Sequence, residues 1–138
     1  MTYLLDTNVV SEIRRRGCDP RVNAWFRSVP ADELFLSALV LGEIRRGVER
    51  LRRLDVEQAE VFERWLEGLR GRFGDRIVPI DAEIAEDWGR MGAVDPLPVE
   101  DTLMAATAKV RGMVFVTRNV ADVERTGVCL LDPWQWQG

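Results

Sequence analysis

The chain predicts an α/β fold: a central parallel sheet of four to five strands flanked by helices. Two observations predict it. Short apolar runs recur at 3–5, 34–37, 77–80, 113–117 and 128–131, each of strand length. Between them lie stretches whose apolar residues repeat at three and four, long enough to cross back over a sheet and return the chain in the same direction. Loops at the carboxyl ends of such strands form the binding crevice.

Tyr3-Leu4-Leu5 is the first strand, followed by Asp6, Thr7 and Asn8 and a short helix through Arg16. Residues 20–28 read as a helix with Val22, Trp25 and Phe26 on one side, and Leu34 to Ser37 as the second strand. From Ala38 a long helix repeats Leu41, Ile44, Val48 and Leu51, its other face rich in arginine. Ala59, Phe62, Leu66, Leu69 and Phe73 mark a further helix from Val56, ending near Gly71 and Gly74, that should pair with the one before it. Ile77 to Ile80 is a third strand at an edge of the sheet, because Pro79 has no ladder donor. A weaker helix over 82–92 carries Ile84, Trp88 and Met91; Asp95-Pro96-Leu97-Pro98 is a loop. Glu100 to Arg111 is helical, its Ala105, Ala106 and Ala108 suited to close packing on a sheet, and Gly112 stops it. Met113 to Thr117 is the fourth strand, with three apolar residues in a row as buried parallel strands have. A short helix near 120–125, a fifth strand at Val128 to Leu131 and a Pro133-Trp134-Gln135-Trp136 tail complete the chain.

At 138 residues the chain is read as one domain, 1–138, and 46% hydrophobic residues exclude disorder. No run approaches the roughly 20 apolar residues of a membrane span, and the amino terminus shows no export pattern, so cytoplasmic residence is expected. Cys18 and Cys129 stand in no ligand spacing, which argues against zinc. The net charge of −4 argues against wrapping nucleic acid by bulk attraction, yet clusters such as Arg14-Arg15-Arg16, Arg45-Arg46 and Arg50/Arg52/Arg53 suit either phosphates or solvent.

Asp6, Glu43, Asp101 and the Asn119/Asp122 pair each stand where an apolar element ends or opens, and the chain has no histidine. In a parallel sheet the ends of strands one and four share an edge, so residues more than a hundred apart come together there. Glu43, about two turns into its helix, leans over the same edge. Carboxylates so placed cost folding free energy unless a cation neutralises them. Oxygen ligands without histidine fit a hard divalent ion. Each acid also has a plainer reading: Asp6 as a helix cap, Asp101 as a first-turn acid, Glu43 as the partner of Arg46 or Arg50.

The segments LLDTNVVSE, LVLGEIRRGVERL, VEDTLMAATA and VTRNVADV resemble, in order and spacing, the four motif regions of PIN-domain ribonucleases, in particular VapC toxins of type II toxin–antitoxin pairs. Asp132-Pro133-Trp134 is similar to a closing signature of the related FitB proteins. The resemblance runs essentially end to end. It implies a PIN-like three-layer sandwich and a metal-dependent endoribonuclease using Mg²⁺ or Mn²⁺. Asp6, Asp101, Glu43 and Asp122 would be metal ligands, with Glu43 placed to orient or deprotonate water. Asn119, where FitB-like members have an aspartate, would complete the catalytic set with Asp122. Thr7, Asn8, Ser11 and Thr117 match supporting positions, and Arg14, Arg46 and Arg118 are candidates to hold flanking RNA phosphates. The resemblance further implies a VapB-like antitoxin partner, a homodimer and higher toxin–antitoxin hetero-oligomers, with Trp134, Trp136 and the helical pair over 38–73 offering contact surface.

A haloacid-dehalogenase-like phosphatase would need a second acid two residues after Asp6 and a late lysine, where this chain has Asn8 and only Lys109; a response-regulator receiver fails on the same lysine. The remaining alternative is a catalytically inactive PIN-like module that binds RNA or protein.

Overall fold

The structure, a computed structural model, describes residues 1–93 and 97–138. Among the described residues five parallel strands, β1 (Tyr3–Leu5), β2 (Leu34–Ser37), β3 (Ile77–Val78), β4 (Val114–Val116) and β5 (Leu130–Leu131), form one sheet in the order β3-β2-β1-β4-β5. The strands are short because each carries only the few apolar residues needed to cross the core. Leu4, Leu5, Leu36, Phe115 and Val116 are essentially excluded from solvent. β1 lies at the centre, with Leu4 opposite Phe35 on one side and Phe115 on the other. The chain winds from β1 outward to β3, then crosses back to β4 beside β1. That reversal creates a switch point between the carboxyl ends of β1 and β4, where a crevice opens.

Seven helices among the described residues complete a three-layer sandwich: α1 (Thr7–Arg14), α2 (Pro20–Ser28), α3 (Ala38–Arg52), α4 (Val56–Phe73), α5 (Ala82–Met91), α6 (Val99–Arg111) and α7 (Val120–Val123). α3 packs on α4, and α1 touches both α2 and α3; α5 packs on α6, and α6 on α7. Right-handed crossovers put the two groups on opposite faces of the sheet. α6 lies against β1 and β4, and its Ala105, Ala106 and Ala108 are fully buried, as their small size predicts. It stops at Gly112, whose φ of 68° places it in the left-handed region that lacks a Cβ penalty only for glycine.

The expected elements are all present, with differences at their ends. β3 stops at Val78, and it is an edge strand as Pro79 requires. α1 ends at Arg14 rather than Arg16, and the helix expected near 120–125 is a single α-turn followed by a 3-10 turn at Glu124–Thr126. Of the loop expected over 95–98, Asp95 and Pro96 lie outside the described residues. The carboxyl-terminal segment is not a loose tail. Asp132 caps a 3-10 turn at Pro133–Gln135 that packs on α2, the Arg21 guanidinium donates to the Trp134 carbonyl, and Trp134 is only 8% exposed. Trp134 is therefore core, not docking surface, because indole burial outweighs what an exposed ring would gain.

The arginine-rich face of α3 is also reassigned in part. Arg45 forks onto both carboxylate oxygens of Glu63 at 2.7 Å, and Arg52 reaches Glu49, Glu60 and Glu63, so these two guanidinia clamp α3 to α4 and are unavailable to phosphates. No described helix is long and apolar enough to cross a membrane.

Phe115 fills the middle of the central layer, and truncation there leaves a void that paired strands and flanking helices cannot close. Phe115→Ala should cost about 3–5 kcal/mol, read as a lowered urea midpoint with an unchanged m-value.

Candidate active site

Asp6 follows β1 directly and is 4% exposed, a carboxylate sunk into the end of the central strand. Its backbone N–H continues the ladder by donating to the Val116 carbonyl at 2.9 Å. Two donors hold its carboxylate from opposite sides. The Thr7 backbone N–H donates to Oδ1 at 2.7 Å, and the Thr117 hydroxyl at the end of β4 donates to Oδ2 at 2.6 Å. Thr117 Oγ1 also accepts from the Asn119 backbone N–H at 3.0 Å, tying the loop after β4 to the same point. Asp6 is thus the cap of α1 and a member of the acidic centre at once; the two readings of the sequence are compatible.

Glu43 comes from the middle of α3. Its Oε1 accepts from the Thr7 hydroxyl at 2.8 Å, so Thr7 connects Asp6 through its backbone and Glu43 through its side chain. Glu43 makes no ion pair with Arg46 or Arg50 among the described residues, although the nearby Arg46 charge favours its ionised form. Asp101 is half-buried in the first turn of α6, and Asp122 sits exposed in α7.

The fields of these groups report their convergence. Burial raises the Asp6 carboxyl above the ordinary range against its two hydrogen bonds, with Glu43 adding to the rise. Glu43 is raised by burial and by Glu100 and Asp101. Asp101 is pushed up to about 6, first by burial, then by Asp6, Asp122 and Glu100. Acids from β1, α3, α6 and α7 are therefore close enough to repel one another, which is what the switch point allows. Glu100 is the member that the sequence alone does not single out. An acidic pair stands at 100–101, but neighbouring helical residues diverge by about 100°, so only the fold shows that both face other acids.

The supporting positions divide. Thr7 and Thr117 grip carboxylates; Ser11 is exposed and shares with Thr7, Glu43 and Gly47 the lining of an apolar groove of about 480 Å³ that runs to Leu54, Phe62 and Trp65. A Cβ on Gly42 or Gly47 would meet nothing within 4 Å, so packing does not require glycine at either position. Asn8 Oδ1 is buried with no hydrogen-bond partner among the described residues. Asn119 is exposed and begins α7 without a side-chain cap bond. Of the arginines expected at phosphates, Arg14 stacks 4.0 Å over the Phe62 ring and 5.3 Å from Trp65, Arg118 lies 4.8 Å from the Trp134 ring, and Arg46 is exposed near Glu43.

The donor set suits a hard divalent ion: oxygen atoms only, mutual repulsion for a cation to relieve, and in Asn8 an orphan acceptor that a hydration water would satisfy. Among the described residues, however, no three acidic or thiol side chains stand as a ready-made cage.

The PIN domain family matches residues 3–126. Toxin FitB of Neisseria gonorrhoeae is 31% identical over 137 residues, 95% of this chain and 97% of that protein. Ribonuclease VapC14 of Mycobacterium tuberculosis is 49% identical over 67 residues, 49% of this chain and 65% of that protein. The crystal structure of FitAcB from Neisseria gonorrhoeae superposes with a TM-score of 0.89 at 30% identity, covering 98% of this chain and 100% of that one.

A carboxyl raised on folding lends stability that is full below its unfolded value and lost as pH climbs through the folded one. For Asp101 that window runs from its ordinary 3.8 to about 6. In EDTA, then, the contribution of Asp101 to stability should fall as pH rises across this window. Asp101→Asn should flatten the profile and stabilise the protein at pH 7 by about 1 kcal/mol, allowing for solvent screening; thermal melts at each pH read it.

Proposed function

The chain belongs to the PIN domain family, and from that we propose that it is the ribonuclease toxin of a type II toxin–antitoxin pair, cutting RNA with the help of Mg²⁺ or Mn²⁺. The observation that carries the reading is the gathering of Asp6, Glu43 and Asp101 from three distant segments, each with its carboxyl raised by burial and by the charge of its acidic neighbours. Such repulsion has a use where a divalent ion and a phosphodiester must meet.

In this proposal Asp6 and Asp101, with Glu43 and Asp122, would hold the ion, and Asn119 would complete the set. A bound divalent ion supplies a lowered water pKa and polarisation of the phosphoryl oxygens. Thr7 and Thr117 keep the Asp6 oxygens turned toward the crevice. Glu43, raised and with no hydrogen bond on Oε2 among the described residues, orients a water and takes its proton, a task for which the chain has no histidine. Attack by water leaves a 3′-hydroxyl and a 5′-phosphate, and the RNA 2′-hydroxyl takes no part.

Partners follow the same reading. The whole of 1–138 acts as one PIN domain in the cytoplasm, as a homodimer and in larger assemblies with its antitoxin. The apolar groove beside Glu43, with Leu54 86% exposed at its far end, offers that antitoxin a place from which a basic side chain reaches the acids.

Purified protein should cleave RNA in Mg²⁺ or Mn²⁺ and stop in EDTA. Asp6→Asn or Asp101→Asn should lower the single-turnover rate by roughly 10²–10³-fold with RNA binding retained. A 2′-deoxy substitution at the cut site should leave cleavage intact. RNA binding with no turnover under any divalent ion would instead mark a binding module.

A further inference from the structure

The groove of about 480 Å³ that opens at Thr7 and Glu43 is built from three helices. On α3, Glu43, Gly47 and Arg50 follow at spacings of four and three, so they form one stripe along it. α1 lays Thr7 and Ser11 beside that stripe, also four apart. α4 supplies aromatic surface, Phe62 and Trp65, whose rings meet edge to face with centroids 6.1 Å apart. Glycine within a helix weakens it, and a Cβ on Gly47 would meet nothing within 4 Å, so the chain's own packing has no need of glycine there. Because Gly47 lines the groove, any side chain at that position would enter it.

Two guanidinia border this surface with no ion pair among the described residues. Arg50 lines the groove two turns beyond Glu43, about 10.5 Å along the axis of α3. Arg14, two turns after Thr7 on α1, lies 4.0 Å over the Phe62 ring. That stack fixes the plane of the guanidinium and leaves its N–H edge without an acidic partner, whereas Arg45 and Arg52 on the neighbouring face of α3 are held by glutamates. A nucleotide carries a flat apolar face and an anion in one unit, the two things that aromatic surface bordered by guanidinia takes up. Since the groove begins at Thr7 and Glu43, a strand held at the acids crosses its mouth.

We propose that the groove is a base subsite for single-stranded RNA: an unpaired base next to the bond at the acids turns in over Gly47 and packs on Phe62 and Trp65, while Arg14 and Arg50 hold backbone phosphates. RNA enters as the ligand through the nuclease reading, whereas a preference for bases over bare backbone is measured without cleavage. Only a base free of its partner can turn in, so the site selects loops and ends over duplex. An antitoxin seated in the same groove then blocks the base as well as the acids.

Fluorescein-labelled hexauridylate and its fully abasic counterpart, equal in backbone charge, test the site by anisotropy in EDTA at low salt. The native chain should bind hexauridylate roughly five- to a hundredfold more tightly than the abasic strand. Gly47→Leu, which fills the groove, should bring hexauridylate down to the abasic value and leave the abasic strand unchanged. The same exchange should raise the urea midpoint, because leucine is the better helix former; a merely structural glycine would not give a more stable chain that binds bases less well. Gly68→Leu on α4, equally exposed but outside the groove, should raise the midpoint and change neither affinity. Arg50→Gln should weaken both strands alike and reduce the slope of log K against log salt by about 0.7 for the phosphate no longer held. Equal affinity of the native chain for the two strands overturns the base site and leaves the groove to a protein partner. A preference that survives Gly47→Leu, or no binding of either strand, overturns it as well. If Gly47→Leu abolishes the preference and yet no divalent ion brings cleavage by the native chain, the base site stands and the nuclease reading falls.

Discussion

A carboxylate buried at the end of the central strand is the constraint on which the rest of this molecule depends. Asp6 cannot be lodged there cheaply, because solvent reaches almost none of it and Glu43 adds a second negative field. The structure meets the cost with two donors, the Thr7 backbone and the Thr117 hydroxyl, and each fixes another part of the site. Thr7 also holds Glu43, and Thr117 also holds the backbone of Asn119. Two threonines thereby tie α1, α3 and the loop after β4 to one point. Among the described residues no arginine pair relieves the remaining repulsion, a charge imbalance that a divalent ion would remove.

Arginine and glutamate play opposite parts in two regions of the chain. Between α3 and α4, Arg45 and Arg52 share Glu49, Glu60 and Glu63, and every charge in this group meets its opposite. Such exposed pairs are individually weak, but a forked network fixes geometry. That fixes α3, and with it the position of Glu43. At the sheet edge like charges are kept together instead. The contrast is one of charge balance: paired charge between α3 and α4, mutually repelling carboxyls at the sheet edge.

The topology explains why acids so far apart in the chain meet. The order β3-β2-β1-β4-β5 places β1 beside β4, and the turn of winding direction between them opens the crevice into which α3 and α6 lean. The likeness to FitB spans nearly the whole length of both proteins. The apolar groove along α3 and α4 begins at Glu43 itself, so whatever fills it lies within reach of the acids.

Much of this was legible in the order of residues. Runs such as Val114-Phe115-Val116 and the alanines of α6 are local patterns, and local patterns suffice for strands, helices and their alternation, hence for a parallel sheet. Pro79 announced an edge because a missing N–H is a property of one residue. Asp6, Glu43 and Asp101 stood out because a carboxylate at an apolar boundary needs an explanation wherever it occurs. What the order of residues left undecided was pairing. Arg45 looked as suited to phosphate as to solvent, Trp134 read as contact surface, and nothing set Glu100 apart. The Thr117 hydroxyl meets Asp6 across 111 residues, and such meetings depend on how the strands are ordered and which faces the helices turn inward. Composition and spacing determined the elements and the unusual acids. Only the folded arrangement decided which charges were satisfied and which were left waiting, because electrostatic energy depends on distance in space and not along the chain.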